Sequence, residues 1–217
     1  MATWIAHIRV GERLLEKNLD VEVLPFIIGN IGPDSGVPND DWSSFDPPKK
    51  ITHWTHASKK IDAQGFWDKY LSDEKIKEDK ERYSFLLGYY VHLITDICWS
   101  KLYDEKKKLA LYKNGLDKDP NFIWTIKKDW YGLDFLYLSK NPKSIFFTDF
   151  IKIETVPDYL DYFPKGAFEK QVKYITSYYL GENEETKENF IYLTEEEMDN
   201  FISSTSNKII KLLCDKL

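Results

Sequence analysis

The chain has 217 residues, 42% hydrophobic and 30% charged, with a formal net charge of −6. This balance supplies a sizeable core and excludes an intrinsically disordered chain. The lack of a basic cluster excludes the electrostatic footprint of a nucleic-acid-binding protein.

Helical periodicity dominates from the start. Trp4, Ile5, Ile8, Leu14 and Leu15 predict an amphipathic helix to about Lys17. Asp20 is placed to N-cap a second helix through Val21 to Ile31, with Pro25 early in it, and Gly32-Pro33-Asp34-Ser35-Gly36 stops it. Residues 37–58 carry Pro38, Pro47 and Pro48 among several polar residues and predict a long loop. Trp42, Phe45 and Trp54 argue that the loop is ordered, and Asp40, Asp41 and Trp42 are placed to form a rim or lid. A short helix around Ile61 to Leu71 precedes the longest one, Glu74 to Lys108. Further helices fit Asn121 to Ser139 and Pro164 to Leu180. The capping box Thr194-Glu195-Glu196-Glu197 opens a last helix towards Leu217. The alternation in Ser144 to Glu154 is the one strand candidate. With no repeats and no linker, residues 1–217 read as a single all-α domain, a helical bundle.

Smaller features bound the class further. Of the 13 Phe, 14 Tyr and 7 Trp, some line a pocket or simply serve bulky helix packing. Eight acids against one lysine between Gly181 and Asp199 read as a solvated surface. Cys98 and Cys214 stand in apolar helical contexts and predict buried free thiols. The N-terminal stretch lacks a basic region before an apolar one. The longest uncharged run inside the site region, Tyr83 to Thr95, is too short to span a bilayer. A cytoplasmic location is the expectation.

Chemistry concentrates in four histidines, His7, His53, His56 and His92, all in the first 92 positions. His92 and Asp96 stand at i and i+4 and project from one helical face, beside Tyr89, Leu93 and Trp99, so the pair points inward. A buried aspartate needs a hydrogen-bonding, ionic or metal partner. Either a His–Asp hydrogen bond or a metal site meets that need. His7 lies on the inner side of the first helix, and Asp34 in a turn where a local backbone bond is the competing role. His53 and His56 stand in ITHWTHAS, with a surface pair as the plain alternative. If these groups converge, neutral imidazoles and carboxylates suit Zn²⁺, whereas Mg²⁺ prefers nearly all-oxygen shells. Asp129, Trp130 and Asp134 in KKDWYGLDFLYL are further ligand or substrate-wall candidates, or an ordinary helix face.

From about Thr3 to Ser100 the order TWIAH, GNIGPDSG, TH and GYYVHLITD resembles the bacterial zinc-dependent phospholipase C family, whose wider fold includes single-strand-specific fungal nucleases. The closer likeness is to its short, unprocessed bacterial subgroup. The resemblance implies an all-α fold with metal between the helices and hydrolysis of phosphoester bonds. It implies Asp34, His53, His92 and Asp96 as ligands of a first metal, and His7 as ligand of a neighbouring one bridged by Asp96. Asp34 is implied as the group that orients or deprotonates the attacking water.

The chain departs from the family at three points. Trp4 is preceded by Met-Ala-Thr, whereas the secreted enzymes use the amine of an N-terminal tryptophan; removal of Met1 here would expose Ala2. No histidine follows His92 to complete the family's third metal site. No processing signal points to an extracellular lipid. The expectation is therefore a hydrolase of a small-molecule or lipid phosphoester with one or two zinc ions, iron or manganese being the other fits. The alternative is a non-catalytic helical binding or scaffold module with a structural or vestigial metal site. The helical His-Asp phosphohydrolases are excluded, since they need an adjacent His-Asp pair and none occurs.

Overall fold

The element that organises the molecule is a 27-residue helix whose first half is buried on every side: each residue from Tyr83 to Asp96 is buried. A helix apolar all round must be surrounded by others, and this explains the uncharged run there. The computed structural model describes residues 1–55, 60–119, 121–181 and 189–216. Among them are ten α-helices and one two-stranded antiparallel ribbon, an all-α architecture.

In chain order these are α1 (Trp4–Leu15), α2 (Val23–Gly29), β1 (Val37–Pro38), β2 (Phe45–Asp46), α3 (Lys49–Thr52) and α4 (Ala63–Tyr70). The central helix follows as α5 (Lys80–Lys106), then α6 (Ala110–Leu116), α7 (Phe122–Lys140), α8 (Ile145–Thr148), α9 (Ala167–Leu180) and α10 (Glu195–Cys214). α5 packs along α2 so closely that a Cβ on Gly29 would stand 1.9 Å from the Phe85 carbonyl oxygen. One on Gly88 would stand 2.0 Å from that of Phe26. Glycine at both positions is what lets the two backbones meet. α1 crosses α5 and rests on α10.

Several sequence expectations are adjusted. The second helix begins after Glu22 rather than at an Asp20 cap and gives way to a 3₁₀ turn, Gly32–Asp34. The start of the long helix is a separate 3₁₀ segment, Glu74–Glu78, and Asp79 caps α5 through the Arg82 amide. The 37–58 loop contains the β1–β2 ribbon and α3. The strand candidate at 144–154 is instead α8 and a 3₁₀ turn, because Phe146 and Phe150 face the core at helical spacing. The Thr194 capping box forms as read. Both cysteines are free, but Cys98 is half-buried and Cys214, the last residue of α10, is exposed. His56 and residues 182–188 of the acidic stretch lie outside the described residues. No helix among the described residues is long and apolar enough to cross a membrane.

Candidate metal centre

Four separate pieces of local structure aim side chains at one buried point. Thr3 N-caps α1 and sets the helix so that His7, one turn in, faces α5 with no exposure. The 3₁₀ turn after α2 carries Asp34. The short α3 ends on His53 as its C-cap residue. α5 presents His92 and, one turn on, Asp96, both inaccessible.

The distances define a cage. His53 Nε2 lies 3.3 Å from Asp34 Oδ1 and 3.5 Å from Asp96 Oδ2. His92 Nε2 lies 3.4 Å from His53 Nε2 and 3.6 Å from Asp96 Oδ2. On the other side of Asp96, Oδ1 is 3.5 Å from His7 Nε2, and the His7 and His92 rings stack at 3.8 Å.

The outward-facing nitrogens fix the tautomers. His92 Nδ1 is 2.9 Å from the Asn30 carbonyl oxygen, which can only accept, so Nδ1 carries the proton and Nε2 is left bare. The Thr52 hydroxyl donates to the Lys49 carbonyl oxygen, so it accepts from His53 Nδ1 at 2.9 Å, leaving that Nε2 bare as well. Two imidazole lone pairs and two carboxylate oxygens therefore face one another. Separations of 3.3–3.6 Å are long for hydrogen bonds. They are close to the roughly 3.3 Å between neighbouring ligands of a tetrahedral ion with bonds near 2.0–2.1 Å. Among the described residues, Asp96 Oδ2 and both ring nitrogens of His7 have no hydrogen-bond partner although fully buried; a cation bound at Asp96 Oδ2, or at the bare nitrogen of His7, would offset that cost at the atom it meets. The donor set fits zinc. His92 Nε2 has a single lone pair and serves one ion, whereas Asp96, with two oxygens on two sides, is the residue able to bridge.

The electrostatics follow from burial set against pairing. Burial, reinforced by His92, lowers the His7 pKa to about 4, so it is neutral and ready to ligate at pH 7. Burial also opposes charge on His92, but Asp96 and Asp34 outweigh it and raise its pKa above the usual value. Asp34 and Asp96 lose solvation too, yet the neighbouring histidines hold both carboxyls well below the ordinary range. The N-terminal residues brace the site: the Ala2 amide donates to Asp96 Oδ1 at 2.8 Å and the Trp4 indole to Asp34 Oδ2 at 3.1 Å.

All five sequence-predicted residues meet here, in two overlapping groups: Asp34, His53 and His92, and His7, His92 and Asp96. Asp129 and Asp134 belong to neither. Asp129 accepts the Tyr192 amide, and Asp134 accepts the hydroxyls of Thr3 at 2.7 Å and Tyr179 at 2.5 Å. The sequence reading missed Asn30, Thr52 and the indole role of Trp4. The asparagine two residues before GPDSG was the one visible signal. A cavity of about 790 Å³ opens beside the cage, and of the five residues only Asp34 lines it. Trp130 is part of its wall and Trp42 of its rim, whereas Asp40 and Asp41 do not reach it.

Fold and site together define a helical protein with a buried His/Asp cluster whose donor set is compatible with zinc. A family model for zinc dependent phospholipase C matches residues 6–114, a span that contains all five residues, and the chain belongs to that family. No curated protein and no solved structure matches the chain.

Proposed function

We propose that the protein is a zinc-dependent hydrolase of a phosphoester, with Asp34, His53, His92 and Asp96 holding one ion. His7 and the second oxygen of Asp96 offer the start of a neighbouring position. The observation that supports this reading is the meeting of the cage and the cavity at Asp34, where a substrate phosphorus and a water can approach the centre together. Zinc bound there supplies Lewis acidity that acidifies a water and offsets charge on the phosphoryl oxygens. With the ion bound, Asp34, held by the Trp4 indole at the cavity, would be the residue to orient the attacking water or take its proton. Asn30 and Thr52 hold the two imidazoles in the ligating tautomer.

A second reading has its own support: four protein ligands around one point suffice to close a tetrahedral structural site. Elemental mass spectrometry of the untagged protein, beside hydrolysis of chromogenic phosphomonoesters and phosphodiesters, separates the two. The expected result is at least one zinc per chain and turnover. His92→Ala and Asp96→Ala should each lose the metal, lower thermal stability, and lose turnover by at least about 100-fold. Full metal content in both variants would overturn the ligand assignment. Stoichiometric zinc without turnover of either ester class favours the structural module.

A further inference from the structure

The cavity beside Asp34 has a second chemistry that the metal centre does not use. Its walls are aromatic, and three of them stand at the mouth with large exposure: Trp42 at 53%, Trp124 at 60% and Tyr174 at 40%. Three lysines also line it, Lys49 at the start of α3, Lys127 on α7 and Lys170 on α9.

Aromatic walls of this kind are the usual receptacle for a quaternary ammonium group, but here two of the rings already carry a lysine ammonium. The Lys49 ammonium sits 5.1 Å from the Phe45 ring centre and the Lys127 ammonium 4.5 Å from that of Trp124. Neither lysine has a carboxylate within ion-pair distance among the described residues. The two lining carboxylates are otherwise engaged: Asp34 belongs to the cage, and Asp104 pairs with Lys107 at 2.8 Å. The cavity therefore presents uncompensated positive charge on an apolar floor. Burial and the charge of Lys49 both depress the pKa of Lys127, with Asp34 pulling it back, as expected of two ammonium groups sharing one space.

We propose that Lys49 and Lys127 form an anion-recognition subsite selecting an apolar or aromatic body that carries a phosphomonoester dianion, lipid or soluble, over a zwitterionic choline ester. This rests on the preceding reading for the placement of the reacting phosphorus near Asp34. The aromatic rim holds the body, and the two ammonium groups take the charge that a zwitterion would compensate internally.

Tryptophan fluorescence tests it, because Trp4, Trp42, Trp99, Trp124 and Trp130 line the cavity. The soluble arm titrates phenyl phosphate against phosphocholine. The lipid arm titrates dihexanoyl phosphatidate against dihexanoyl phosphatidylcholine, below micellar concentrations. In at least one arm the anionic member should bind at least about 10-fold tighter, by loss of charge-assisted hydrogen bonds in the comparison ligand. The arm with the larger preference identifies the source. The preference should vanish in K49Q/K127Q, persist in K49R/K127R, and shrink as salt rises from about 0.05 to 0.5 M. No preference in either arm, or one that survives in K49Q/K127Q, would overturn the proposal. Zinc content measured on the same samples keeps the two readings apart. Bound zinc without a lysine-dependent preference sinks this inference alone. A lysine-dependent preference without zinc sinks the metal assignment alone.

Discussion

Asp96 shows how much one residue can organise. One of its oxygens accepts the Ala2 amide and faces His7, while the other faces His53 and His92. Its place one turn after His92 is readable from spacing, because helical geometry fixes which side chains share a face. That Asn30 and Thr52 set the tautomers of the histidines was not readable, since one of them acts through a backbone carbonyl oxygen that every residue possesses. Asp134 was singled out as a ligand candidate, but its partners are Thr3 and Tyr179. Burial raises its pKa from 3.8 to about 7, against the pull of those hydroxyls. The folded state therefore holds this proton more tightly than the unfolded chain. Its contribution to stability is present at low pH and is lost as pH rises from about 4 through 7. The stability difference between wild type and Asp134→Asn should accordingly fall across that window in chemical denaturation at pH 5 and pH 8. A difference independent of pH would mean that Asp134 is charged throughout.

At the level of elements, the meeting of α2 and α5 decides whether the site exists. Asn30 follows the last residue of α2 and reaches both neighbouring helices: its amide donates to the His7 carbonyl oxygen at 2.5 Å and its own carbonyl oxygen holds His92. Gly29 and Gly88 set that spacing. Gly88→Ala would drive a methyl group into the Phe26 carbonyl. It is expected to cost about 3 kcal/mol or more, as overpacking against rigid backbone does, and to weaken zinc binding by displacing Asn30. Urea denaturation with a parallel zinc titration measures both, and unchanged zinc affinity would show that the site does not depend on this spacing. The helices themselves were legible where an amphipathic stripe, a long apolar run or a capping box marked them, as in α1, α5 and α10. They were misread where a short aromatic run alternated, as at Phe146 to Phe150, because four or five residues satisfy strand and helix periods equally well.

For the molecule as a whole, the two halves of the chain divide the work. The cage comes wholly from the stretch that matches the family, residues 6–114. Much of the cavity wall, including Trp124, Lys127, Trp130 and Tyr174, comes from α7 and α9 beyond it. Cage residues drawn from α1, the 32–34 turn, the end of α3 and α5 bring distant segments together, so zinc bound there should stabilise the entire fold by mass action. At free zinc 100-fold above Kd this amounts to about 2.7 kcal/mol, or a rise in Tm of roughly 5–10 °C for a chain of this size. Calorimetry with zinc and with a chelator should show that shift in the wild type and none in His92→Ala. Equal melting in both conditions would remove the ion from the account of stability.

The sequence by itself determined the helical class, the kinds of side chain in the cage, and the register of His92 and Asp96, all of which depend on neighbours within a turn or two. Tertiary structure alone decided that Ala2 would meet Asp96 across 94 positions, that Asp34 would be the cage residue facing the cavity, and that Lys49 and Lys127 would share it. The reason is physical: periodicity records which face a side chain occupies, but convergence across many residues is set by how closely helices pack, and here glycines and buried aromatic volume set that distance.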